Sequence, residues 1–258
     1  MRAVGTVAEL WRYPVKSMGG EPLRRAWVGP AGVAGDRAWA LLDGEDRWAS
    51  AKTNRGRWRL FDGLLDLPVR TVAEPGESIP VRGASVPLEP GAREVVAIAL
   101  PEGDEVTAGT PEADERLSAL LGEALRLDHG DGGRRWGRHH DSVQLHVVTS
   151  ATLAALAGAD GAPLDARRLR PNVVLALDGD GFPENDWPGR RLRVGDALLE
   201  VQERTVRCVM TTREQAELPR ETDVLPRIGR RNHASAGVGL RVLEPGAIAL
   251  GDAAELVD

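Results

Sequence analysis

A single cysteine, Cys208, stands in the stretch RCVMTT, beside Arg207 and just before Thr211 and Thr212. A thiolate next to a guanidinium is favoured electrostatically, which makes the sulfur a better nucleophile or a better ligand for a soft metal. The two threonines offer hydroxyls to a ligand, or simply end a strand. In DALLEVQERTVRCVM, strand alternation predicts Val206, Cys208 and Met210 on one face and Arg207, Val209 and Thr211 on the other. Such alternation would turn Arg207 away from the sulfur. The competing reading is that the cysteine is a small buried hydrophobe.

Three other stretches carry groups suited to an anion or a planar heterocycle. In RRLRPNVVLAL, Arg170, Pro171 and Asn172 stand immediately before an apolar run, and the proline biases Arg170 towards an extended conformation. An arginine and an asparagine at a strand end present a fork of donors; otherwise they are a surface cluster entering a strand. In YPVKSMGG, Lys16 is a point charge suited to phosphate, Ser17 adds a hydroxyl, and the glycines permit close backbone approach. Alternatively it is an exposed turn with a solvated lysine. In GVAGDRAWALLD, Asp36 and Arg37 enter a strand, and the plain reading is a tight turn with a solvated ion pair.

Other motifs are missing. His139, His140 and His146 in GRHHDSVQLHVV match no metal-ligand spacing, and DGDGF resembles a calcium loop only superficially, its bidentate glutamate out of place. No phosphate-binding loop, dinucleotide fingerprint, nucleophile elbow or HExxH occurs. One cysteine excludes an intrachain disulfide and a four-cysteine zinc site. The 258 residues carry a net charge of −6, which argues against general nucleic-acid binding but leaves room for a local basic pocket. No signal peptide is evident at the amino terminus, and no apolar run reaches membrane-span length. A soluble, cytoplasmic protein with no membrane partner is the expectation.

The elements that must position these residues are mostly strands, cut by 30 Gly and 17 Pro. VGTVAELWRY, DRAWALLD, DRWASA, LRVGDALLEVQE and VGLRVLEPGAIALGD read as short strands between turns. Helices are expected in ADERLSALLGEAL, starting at Thr110-Pro111 with Leu117, Leu120, Leu121 and Leu125 on one side, and in VLPRIGRRNH. SATLAALAG is a third, with Ser150 as N-cap and Gly158 as its end. The Pro-, Gly- and Glu-rich stretch from Glu74 to about Pro111 is taken as a domain boundary. The expected class is mainly β with a few helices (α+β), built as a barrel or a pair of barrels.

Taken in order, LWRYPVKSMGGEPL and GVAGDRAWALLD resemble the amino-terminal β-barrel domain of MOSC proteins. RRLRPNVVL, DWPGRRLRVGDALLEV, RCVMTT and GVGLRVLEPGAIALGD resemble the MOSC domain itself. The resemblance implies residues 1–95 as the first domain, 96–258 as the second, and a molybdenum–pyranopterin cofactor. In the amidoxime-reducing relatives the cysteine of RCxxTT ligates molybdenum, which carries over to Cys208. Lys16, Ser17, Arg37, Arg170 and Asn172 carry over as cofactor contacts. Ser150 and Arg207 match positions that flank the cofactor, and Thr211 and Thr212 either hydrogen-bond it or end the strand. Pyridoxal phosphate binding is attached to the family at its broadest level only.

The activity implied is reduction of N-hydroxylated or related N–O and S–O compounds by oxygen-atom removal. Its electrons would come from a separate protein, a ferredoxin, flavodoxin or b-type cytochrome. The alternative is a sulfur- or cofactor-carrier role, with a persulfide on Cys208. Some relatives have a further cysteine just before the RC pair; here Glu203 to Val206 reads ERTV, so nearby dithiol chemistry is not expected.

Overall fold

The short alternating runs do form strands, and seven of them close into a ring. The computed structural model describes residues 1–73, 94–130 and 138–257. Most of the boundary stretch that begins at Glu74 therefore lies outside the described residues. Its described remainder holds two strands, Val95–Ala99 and Glu105–Thr107.

The ring strands are β1 (Arg2–Arg12), β2 (Leu145–Thr149), β3 (Val173–Ala176), β4 (Arg191–Val194), β5 (Ala197–Val206), β6 (Ser235–Glu244) and β7 (Ala253–Val257). They hydrogen-bond in the order β3-β2-β6-β5-β4-β7-β1, and β1 pairs back onto β3. Only the β2–β3 pair is parallel. Closure leaves the ring no free edge, which removes the usual hazard of unpaired strand N–H and C=O groups. Gly5 makes the closure possible: at φ +139° a Cβ there would stand 2.2 Å from the Ala176 carbonyl oxygen.

Period-two alternation decides which side chains fill the ring. Val147, Val173 and Leu175 join Val7, Leu199 and Leu240 inside it. Their neighbours Val148 and Val174 face the other way and pack with Leu153, Leu169 and Ile228. Each such Val or Leu contributes about 1.5–3 kcal/mol relative to exposure.

Three α-helices occur among the described residues: α1 (Pro111–Leu121), α2 (Ser150–Ala155) and α3 (Val224–Asn232). Helix α1 starts as expected, with the Thr110 side chain accepting from the Ala113 N–H at 3.2 Å and proline in the first turn. Leu117 is buried, but Leu120 is 42% exposed and does not share its face. Helix α2 is capped one residue earlier than expected. Thr149, still extended, accepts from the Thr152 N–H at 3.1 Å, so Ser150 is the first helical residue, and the helix stops at Ala155 rather than near Gly158.

The chain forms two compact units, each assembled from separated segments. One is Met1–Arg12, Pro22–Ala34 and His140–Asp258 and holds the ring; the other is Tyr13–Glu21 and Gly35–His139. The second unit contains a sheet of Arg126–His129, Trp39–Leu42, Trp48–Ser50 and Trp58–Leu60, and another of Glu105–Thr107, Val95–Ala99 and Val69–Ala73. A single cut between residues 95 and 96 would pass through the Val95–Ala99 strand.

Candidate functional site

Cys208 is exposed. It does not continue a strand face, as the alternation predicted, because β5 ends at Val206 and a 3-10 turn spans Val209–Thr212. Cys208 is the residue before that turn, with extended backbone at φ −126° and ψ −179°. Met210, expected beside it, is buried instead. The turn is held from within: the Thr211 hydroxyl donates to the Cys208 carbonyl at 3.0 Å, and the Thr212 hydroxyl to the Val209 carbonyl at 2.8 Å. Both threonines are buried, so the thiol stands at the edge of a tied turn.

Arg207 points into its own unit. Its Nε donates to the Ala236 carbonyl at 2.8 Å and its Nη1 to the Leu169 carbonyl at 2.9 Å. Nη2 reaches the same Ala236 carbonyl and the Nε2 of His146. Asn172 is 1% exposed and joins three strands. Its Oδ1 accepts from the His146 N–H at 3.1 Å, and its Nδ2 donates to the Trp11 carbonyl at 3.3 Å.

Arg170 is half-buried and left-handed, at φ +51°, rather than extended. Pro171 excludes the right-handed helical region, and the end of the Ala166–Leu169 3-10 helix takes the left-handed alternative. The capping Asp165 starts that helix. Burial raises its carboxyl pKa, but hydrogen bonds from the Arg167 side chain and N–H, with the charges of Arg167 and Arg168, outweigh burial and leave it below the usual value.

Ser150 is set apart from this group. It follows the carboxyl end of β2, whereas His146 and Asn172 meet at its amino end, about 13 Å away at 3.3 Å per strand residue. Its hydroxyl donates to the Leu177 carbonyl at 3.3 Å and accepts from the Leu177 N–H at 3.2 Å. It borders an open cavity of about 860 Å³, together with Thr6, Asp178, Pro183 and Trp187.

In the other unit, Lys16, Ser17 and Arg37 come together. Lys16 is 6% exposed, not solvated: its Nζ donates to the His139 carbonyl at 2.8 Å and lies 4.2 Å from the Trp48 ring centroid. Ser17 and Arg37 both take left-handed backbone, at φ +64° and +49°. Asp36 is fully buried, accepts from the Tyr13 N–H at 2.8 Å and pairs with Arg37, whose guanidinium lies 4.6 Å from the Tyr13 ring centroid. The solvated turn is therefore replaced by a buried lysine and serine, and the solvated ion pair by one whose carboxylate is fully buried and whose arginine is half-buried. His139, unassigned by its spacing, is central to it: Nδ1 accepts from the Trp48 indole N–H at 3.1 Å. Its proton is thus on Nε2, which donates to the Asp128 carbonyl at 3.0 Å.

A MOSC domain model matches residues 135–255 and a MOSC N-terminal beta barrel domain model matches residues 4–56. The chain belongs to the MOSC proteins. It is 26% identical over 234 residues to mitochondrial amidoxime-reducing component 1 of Homo sapiens, covering 82% of this chain and 67% of that protein. The Mus musculus counterpart is 24% identical, with coverage of 82% and 66%. The matches thus span about two thirds of each curated relative. The YUAD protein from Bacillus subtilis shares the fold, with a TM-score of 0.50, 15% identity and coverage of 99% and 97%.

This MOSC protein has a family-level association with the molybdenum cofactor. Within the ring unit, the exposed Cys208 is a soft donor of the kind such a group takes. Among the described residues no three His, Cys, Asp or Glu side chains gather into a metal cluster, and no helix is long and apolar enough to cross a membrane.

Proposed function

We propose that this MOSC protein binds the molybdenum–pyranopterin cofactor with Cys208 as the protein's ligand to the metal. In this reading it reduces N-hydroxylated compounds in the cytoplasm, with electrons from a separate redox protein. The observation that carries the reading is the exposed Cys208 sulfur, standing on backbone that Arg207, Thr211 and Thr212 tie down. The amidoxime-reducing names of both curated relatives support the substrate class.

When bound, the cofactor supplies two-electron chemistry; the chain supplies holding and orientation. Lys16 and Arg37 offer cations to a phosphate, and Ser17 a hydroxyl. Arg170 offers a planar fork to the ring system. Asn172, Ser150, Thr211 and Thr212 hold backbone with the bonds described above.

The test is expression in a cofactor-competent host, followed by molybdenum analysis of the purified protein and benzamidoxime turnover with a reduced viologen dye. Molybdenum stoichiometric with the chain, together with turnover, is the expected result. Metal-free protein with unmodified Cys208 defeats the proposal. A persulfide on Cys208 by intact mass, without turnover, replaces it with sulfur transfer.

A further inference from the structure

We infer that Arg207 is a positioning residue for Cys208, held in a lock completed by Gly237 and a neutral His146. The inference deepens the proposed function and rests on it for the role of Cys208 as ligand.

The lock begins with an irregularity in β6. Arg204 pairs with Val238 and Val206 with Ser235, so three residues of β6 are passed for two of β5. Gly237 lies in the extra step at φ +74°. A Cβ there would stand 2.5 Å from the Val147 carbonyl oxygen and 2.6 Å from His146 Nε2. Glycine therefore lets β2 and the His146 ring close in where β6 bulges. The Ala236 carbonyl is turned to Arg207, accepting from Nε at 2.8 Å and also from Nη2. Leu169 takes Nη1, and the Arg207 N–H donates to the Ala234 carbonyl at 2.8 Å.

A guanidinium only donates, so a His146 ring nitrogen that meets Nη2 accepts, as a neutral imidazole can. With all three of its side-chain nitrogens engaged, Arg207 faces inward. The next residue, extended, is left facing out. Lysine, with one nitrogen and no planar fork, cannot make this set of contacts.

The test compares wild type, Arg207→Lys, His146→Leu and His146→Gln in the full chain by amide hydrogen exchange. The lock predicts roughly tenfold faster exchange across residues 206–213 in Arg207→Lys and His146→Leu. Exchange in β4 and β7 stays at the wild-type rate. His146→Gln, whose side-chain oxygen can accept, returns exchange towards wild type. In protein from a cofactor-competent host, molybdenum content falls with His146→Leu and recovers with His146→Gln. Unchanged exchange at 206–213, an equal rise throughout the ring, or no recovery with glutamine overturns the inference. If His146→Leu does not fold, Arg207→Lys carries the same comparison. Metal-free wild type would defeat the cofactor reading alone, while the exchange data still decide the lock.

Discussion

Asn172 and His146 hold each other twice: the Asn172 N–H donates to the His146 carbonyl at 2.8 Å, and the His146 N–H donates to the Asn172 side-chain oxygen at 3.1 Å. The same amide also donates to the Trp11 carbonyl. The asparagine of the RPN motif therefore stitches the end of β1 to the starts of β2 and β3, whatever else it contacts.

Asn172→Ala would orphan a buried N–H and lose a donor to a carbonyl. We expect a loss of about 3 kcal/mol, at 1–3 kcal/mol per unsatisfied group. For a chain of this size that corresponds to a melting temperature lower by roughly 6–12 °C. Differential scanning calorimetry measures it; a shift under about 2 °C would show that the pair contributes little.

Cys208→Ser changes an exposed atom and should leave stability within about 0.5 kcal/mol. Replacing a soft thiolate by a hydroxyl should remove molybdenum from the protein. Metal analysis and a thermal melt of the same sample separate the two effects. Full metal content in the serine variant would rule out Cys208 as the ligand.

Gly237→Ala should destabilise by about 1–3 kcal/mol, because its left-handed backbone is strained for alanine and the new Cβ meets a carbonyl and a ring. Gly229 is the control. It lies within α3 with open space around a Cβ, so Gly229→Ala should stabilise by about 0.5–1 kcal/mol. Urea unfolding of the two variants gives opposite signs if the local geometry is as described.

Asp165 gives the protein an acid-sensitive component. Its folded pKa lies below the usual aspartate value of 3.8. The unfolded chain therefore takes up this proton first, and the stabilising contribution is complete above the unfolded value. It fades as pH falls from there through the folded pKa. Asp165→Asn should flatten that part of the stability curve below about pH 4 while leaving the alkaline side unchanged. Urea midpoints between pH 2.5 and 7 test this, and parallel curves would contradict it.

Local features of the fold were legible where neighbours in sequence decide them. Thr110-Pro111 starts α1, and VLPRIGRRNH contains α3, because caps and helical periodicity act within a few residues. The site was legible as a set of residue types. What misled was the surroundings of each: Cys208 left its strand, Arg170 turned left-handed and Lys16 was buried. His139 carried no usable signal, since its partners Trp48 and Asp128 stand 91 and 11 residues away.

By itself the sequence determined a strand-rich chain and the order of its motifs, since period-two alternation, caps and short signatures are properties of neighbouring residues. Tertiary structure decided which groups are free to do chemistry. Arg207 turns inward to Ala236, Asn172 to His146 and Lys16 to His139, partners 29, 26 and 123 residues away. Such hydrogen bonds exist only once the chain has folded each unit, and Cys208 is exposed beside a turn that the Thr211 and Thr212 hydroxyls tie.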